Sequence, residues 1–213
     1  MARARAKDAM VEPRANGATL YGAAAGALAA VCILCILFID KPVAAFWHQH
    51  QALRPLFQAC AAPSLLALPA AALILLIALA RHLRGQALPD RLWLTVALAT
   101  LAATAAKDEL KWIFGRAWPG SWLKYGIYGF HPFAESILFG AFPSGHTSYA
   151  AAPLGVLWVL RPGWRPFCGV LMLLVMAGLV FADYHFVSDV LAGLLTGGFC
   201  AWAAVRLMER RHG

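Results

Sequence analysis

Two histidines in the chain stand beside residues that could make them reactive. His146 closes the stretch Pro143-Ser144-Gly145-His146, directly before a long apolar run. A Gly-containing turn at a helix start points backbone N–H groups outward and attracts an anion. Ser144 also suits the N-cap of that helix, so its type serves either role. In the first helical turn beside such a site, His146 is a candidate general acid. His185 and Asp189 are spaced i, i+4, which on a helix, or on a turn entering one, puts both side chains on one face. A carboxylate bonded to one ring nitrogen fixes the imidazole tautomer and leaves the other nitrogen free to attack. Capping of the next helix by Ser188 or Asp189 is the plainer account of the same pair. Lys111 and Arg116 add positive charge. Arg can grip phosphate oxygens with two hydrogen bonds, and both residues also suit snorkelling toward lipid headgroups. A histidine nucleophile, a second histidine as acid, a carboxylate orienter, a helix-start anion site and two cations are the parts that phosphoryl transfer requires.

These residues cooperate only if the fold brings 107–119, 142–148 and 182–189 together. The chain is 62% hydrophobic and 13% charged, against about 45–50% and about 25% in soluble domains. Such an excess implies a membrane protein. A span needs about 20 apolar residues, and six segments are candidates: about 18–39, 62–80, 92–114, 147–160, 167–181 and 190–208. The first is too long, and too weakly followed by a small-residue cleavage site, for a removable signal peptide. Residues 41–58 mix Phe46, Trp47, Leu53 and Phe57 with polar side chains, which predicts a helix lying in the interface, with His48 and His50 solvated there.

The net charge is +8. In this setting it reports orientation rather than a nucleic-acid partner. Most of the 18 Lys and Arg fall in the tails and in the loops at 81–91 and 161–165. That side is predicted to be cytoplasmic, with tails at 1–17 and 209–213 flanking a membrane domain at 18–208. The three polar clusters then share the outer face, where ionisable groups at membrane depth usually mark function. Lys107, Glu109 and Lys124 read mainly as headgroup-facing or surface-paired residues. The five cysteines lie in or beside apolar runs and read as small hydrophobes, Cys32 and Cys35 included.

The motifs resemble those of the type 2 phosphatidic acid phosphatase (PAP2) family, the lipid phosphate phosphatases. That family carries K-x6-RP, then PSGH, then SR-x5-H-x3-D. The second motif is complete here at 143–146, and the third keeps His185 and Asp189 within YHFVSDVLAG. The first reads K-x6-WP from Lys111, with Trp118 in the arginine position, and the SR positions hold Gly178 and Leu179. The resemblance covers about residues 60–208. It implies an all-α integral-membrane bundle of six transmembrane helices. It implies His185 as nucleophile, Asp189 as its orienter and His146 as the acid for the leaving lipid alkoxide. Ser144, Gly145 and Lys111 would hold the phosphate, with Arg116 standing in for a missing arginine. It further implies a lipid phosphate or diphosphate substrate among membrane lipids, cleavage at the periplasmic face of a bacterial inner membrane, and no metal or other cofactor. Phosphate transfer to an acceptor other than water, and phospholipid binding or transport without turnover, are the alternatives on the same scaffold.

Overall fold

The computed structural model describes residues 16–210, so the expected tails fall largely outside the described residues. Among the described residues every regular element is helical. The order is α1 (Asn16–Leu34), a π-helical segment (Cys35–Ile39), α2 (Asp40–Gln49), α3 (Arg54–Ala61), α4 (Ala67–Leu83), α5 (Arg91–Phe114), α6 (Pro119–Tyr125), α7 (Gly145–Leu160), α8 (Arg165–Phe181) and α9 (Val187–Arg210). Two isolated bridges, Arg116–Phe130 and Ala117–Phe139, pin the loop between α6 and α7 back onto the end of α5.

Among the described residues four helical stretches are long and apolar enough to cross a membrane: Gly22–Gln49, Gln51–Leu83, Pro162–Phe181 and Val187–Arg210. Large apolar side chains such as Leu37, Leu73, Leu76 and Leu173 stand exposed on them, as expected of surface that meets lipid rather than water. The other two expected spans, α5 and α7, do not qualify on length and composition. Lys107, Asp108, Glu109 and Lys111 occupy the last third of α5, and α7 has only 16 residues. The segment expected as a separate interfacial helix is different in form. Its first part, α2, continues from α1 through the π-helical turn, and its last part, α3, runs through a 3-10 turn into α4.

Helix α7 lies inside the molecule against α9, and α5 packs on both while leaving Trp93, Leu98, Leu101 and Trp112 exposed. One core cluster joins Leu92, Val96 and Ala99 of α5 to Ala152, Val156 and Leu160 of α7 and Ala201, Ala204 and Val205 of α9. A second joins Ala61 of α3, Ala150 of α7, Met172, Val175 and Leu179 of α8, and Val190 of α9. The interior threonines of α5 keep their hydroxyls satisfied locally: Thr95, Thr100 and Thr104 each donate to the carbonyl four residues back at 2.8 Å. That is how a polar side chain is carried inside an apolar bundle without a cross-helix partner.

The crossing of α7 and α9 sets the site. A Cβ on Gly193 would lie 2.6 Å from the Ser144 carbonyl oxygen, and one on Gly197 would lie 2.2 Å from that of Ser148. Only hydrogen side chains let the two backbones approach so closely, a common device in membrane bundles. The Ser144 N–H then donates directly to the Asp189 carbonyl at 2.9 Å. Gly197→Leu is therefore expected to destabilise the protein by about 1–3 kcal/mol through overpacking. Thermal unfolding in detergent should show a lowered Tm, whereas Gly22→Leu, at a position with open space around it, should leave the Tm unchanged.

Candidate active site

Three local structures deliver the polar residues. The first is the end of α5. Lys107 and Lys111 are one turn apart on it, and the helix stops at Gly115, whose φ is 53° and whose N–H bonds the Lys111 carbonyl. A Cβ there would stand 1.8 Å from the His131 carbonyl oxygen, so glycine is required both for the left-handed turn and for the strand-like return of the loop. The second is the N-terminus of α7, where the Ser144 side chain caps the helix by accepting from the Thr147 N–H at a long 3.4 Å, and from the Thr147 hydroxyl at 3.0 Å. The third is the turn between α8 and α9. Asp189 lies in the first turn of α9, and its Oδ2 accepts the Phe186 N–H at 2.9 Å, the backward reach of a capping box.

These meet around a cavity of about 770 Å³. Lys107, Lys111, Gly145, His146 and His185 all line it, together with Trp118 and Tyr149. Ala61, Ala62, Leu65 and Leu179 add apolar wall, and Gln58, Asp183 and Tyr184 add polar wall. The lysine stems lie over the α7 start: a Cβ on Gly145 would be 2.9 Å from Lys107 Cδ and 3.7 Å from Lys111 Cε. Glycine at this position leaves room for both cations beside the helix-start N–H groups. Lys107 Nζ also pairs with Asp108. The His185 ring stands against Trp118, with centroids 5.1 Å apart, and Lys111 Nζ is 5.1 Å from the same indole. His185 Nδ1 faces Asp189 Oδ2 at 3.5 Å. That is long for a hydrogen bond, although such contacts often tighten only when substrate binds. Trp118 and Leu179, which occupy the motif positions of the missing arginines, put an indole and an isobutyl group into the wall.

Two of the expected phosphate ligands are placed elsewhere. Ser144 is buried, its hydroxyl engaged in the cap, and it does not line the cavity. Arg116 is 0% exposed and also absent from the wall. Its Nη1 donates to Asp189 Oδ1 at 2.6 Å and to the Ser188 hydroxyl, and its Nη2 donates to Asp40 Oδ2 at 2.7 Å. Burial opposes its charge, but the two carboxylates outweigh that and raise the guanidinium pKa. Its neighbour Tyr128 has its phenol pKa raised, chiefly by burial. Sequence reasoning missed Asp40, although a carboxylate closing an apolar span is itself a signal. It also left Lys107 at the headgroups, although i, i+4 spacing from Lys111 puts both lysines on one helix face.

Comparison with known proteins gives likenesses of three kinds. The family model described as "PAP2 superfamily" matches residues 92–212. Two curated proteins named lipid A 1-phosphatase are similar. The one from Rhizobium etli is 36% identical over 109 residues, covering 51% of this chain and 45% of that protein. The one from Rhizobium johnstonii is 36% identical over 112 residues, covering 52% and 43%. The matched stretch thus spans less than half the length of these relatives. Among solved structures, a PAP2-type phosphatidylglycerolphosphate phosphatase from Bacillus subtilis shares the fold with a TM-score of 0.52 at 19% identity, over 87% of this chain and 96% of that one.

A wall carrying Lys107 and Lys111 over a helix start should bind phosphate as an anion. Inorganic phosphate is expected to protect the folded protein against thermal unfolding. Lys111→Ala and Lys107→Ala should each weaken that protection about 10-fold or more, in keeping with the loss of a charged contact worth about 1.5–3 kcal/mol. Lys124→Ala, an exposed residue outside the cavity, should not change it.

Proposed function

We propose that this chain, which belongs to the PAP2 superfamily, is a membrane phosphatase that removes phosphate from a lipid phosphate through a phosphohistidine on His185. The observation that carries this reading is the single cavity wall shared by His185, His146, Gly145, Lys107 and Lys111. In the proposed reaction the substrate phosphoryl group lies against the N–H groups of the α7 start, between the two lysines. Asp189 holds the His185 ring through Nδ1, and Nε2 attacks phosphorus in line. A P–N bond forms, the P–O bond to the lipid breaks, and His146 gives its proton to the leaving alkoxide. Water then attacks the phosphohistidine, His146 takes a proton from it, and inorganic phosphate leaves with His185 restored. Fixed donors and cations aimed at the charge that develops in the transition state supply the main rate gain. The lipid-like wall of Ala61, Ala62, Leu65 and Leu179 suits an apolar tail.

The charge supply favours a lipid monophosphate. With Trp118 and Leu179 where the family motif has arginines, two lysines and the helix start are what the cavity offers to neutralise phosphate. A glycolipid 1-phosphate of the lipid A type is the first substrate to test, because both similar curated proteins carry that activity in their names. We place both termini in the cytoplasm of a bacterial inner membrane and the cavity at the periplasmic face. In this arrangement α5 and α7 cross as the third and fourth of six spans, with α7 largely enclosed by the others and α5 partly exposed. The charged end of α5 and the short length of α7 then follow from carrying the site.

The test is phosphate release from purified protein in detergent, with lipid A 1-phosphate, phosphatidic acid and a polyprenyl diphosphate as substrates. Release from a monophosphate is expected, with His185→Ala reduced to background at an unchanged Tm. Chelators should leave the rate unchanged, because the wall carries one carboxylate, Asp183, which is already paired with His48, too few for a hard divalent metal. Trp118→Arg should improve turnover of the diphosphate relative to the monophosphates. Full activity of His185→Ala, or loss in chelator restored by magnesium or zinc, would contradict the mechanism.

A further inference from the structure

The strongest unexplained feature is the charge network behind the cavity. Asp40, Arg116, Ser188 and Asp189 are each 1% exposed or less, and they come from three distant parts of the chain. Arg116 leaves the end of α5, Asp40 begins α2 just after the π-helical segment, and Ser188 and Asp189 lie in the first turn of α9. Besides its bond to Arg116, Asp40 accepts the Ser188 N–H at 3.0 Å through Oδ1 and the Ser188 hydroxyl through Oδ2. Four aromatic rings enclose the guanidinium. Its Cζ lies 4.6 Å from the Phe186 centroid, 5.1 Å from Phe130, and 5.9 Å from both Tyr128 and Phe142. Boxed in by two carboxylates and four rings, the guanidinium is 0% exposed and does not reach the cavity wall, and its one unpartnered donor, Nε, is buried.

We infer that Asp40 and Arg116 are positioning residues that hold Asp189 in the orientation His185 needs, an inference that rests on His185 being the nucleophile. A carboxylate on one bond can turn about its χ2. Asp189 is held at both oxygens, at Oδ1 by Arg116 and at Oδ2 by the Phe186 N–H. Its plane is thereby fixed with Oδ2 toward His185 Nδ1. Asp40 in turn fixes Arg116 and clamps the Ser188 backbone, so the start of α9 cannot slide relative to the end of α5. A guanidinium near the first motif thus supports the orienter and does not line the cavity.

Asp40→Asn keeps the shape of the side chain and removes its charge, and Arg116→Lys keeps the charge and removes the fork. Each is to be assayed with a lipid monophosphate, with inorganic phosphate as competitive inhibitor, and by thermal unfolding, beside His185→Ala. Misplacement of a catalytic group by a fraction of an ångström to 1 Å can cost up to about 100-fold. The expected result is a kcat lowered about 10- to 100-fold in both variants, with KM and the phosphate inhibition constant changed less than about twofold, the pattern of an interaction needed only in the transition state. An unchanged kcat in the folded variants would overturn the inference. A phosphate inhibition constant that rises in step with lost activity would return Arg116 to the substrate. Failure of both variants to fold would reduce the network to a structural tie. Activity in His185→Ala would be a separate result, removing the nucleophile assignment itself.

Discussion

A guanidinium enclosed by protein must be matched by carboxylates and hydrogen-bond acceptors, because an unpaired buried charge is prohibitively costly. Arg116 meets two carboxylates and a hydroxyl, and those partners lie 72 to 76 residues away on either side in sequence. One buried side chain therefore ties the end of α5, the junction of α1 with α2, and the start of α9 into a single body. The cavity is built on the other side of that body, and the residues that face it inherit their placement from the tie. Breaking such a pair by removing one partner is far more damaging than never having had it, so the network constrains what else the local sequence can be.

The second constraint is the close approach of α7 and α9. Gly193 and Gly197 let one backbone rest on the other, and the Ser144 N–H reaches the Asp189 carbonyl as a result. This contact joins the turn at the start of α7 to the helix that carries Asp189. The lysines of α5 complete the wall from a third direction. Each of the three helices ends at the cavity in a cap or turn: Gly115 for α5, Ser144 for α7 and Asp189 for α9. The polar groups freed at helix ends are thus satisfied locally or aimed at the cavity.

Much of this was legible in the chain. The apolar runs marked α5, α7, α8 and α9 to within a few residues but stopped short of how far the first two stretches run into 41–58, and PSGH followed by H-x3-D pointed to the family that the comparisons establish. What could not be read were the pairings across long sequence separations. Arg116 was expected at a phosphate because its type and place fit one. Nothing local shows that Asp40 and Asp189 converge on it. Ser144 fits a cap and a phosphate ligand equally by type, and only the geometry at Thr147 separates them. Lys107 stood in a charged run beside Asp108 and Glu109, where headgroup contact is the ordinary fate, yet its helical register with Lys111 carries it into the wall. The charged end of α5 and the short length of α7 set both apart from the other spans, since those helices carry cavity residues.

The central claim is a covalent phosphate on His185. The decisive measurement is rapid acid-free quenching of the protein during turnover of a phosphorus-labelled lipid monophosphate, followed by peptide mapping of the label. The account predicts an acid-labile, alkali-stable phosphate on the peptide that contains His185, accumulating within the first turnover and absent in His185→Ala. Label on His146 or another residue, or single-turnover cleavage with no labelled protein at any time, would contradict it.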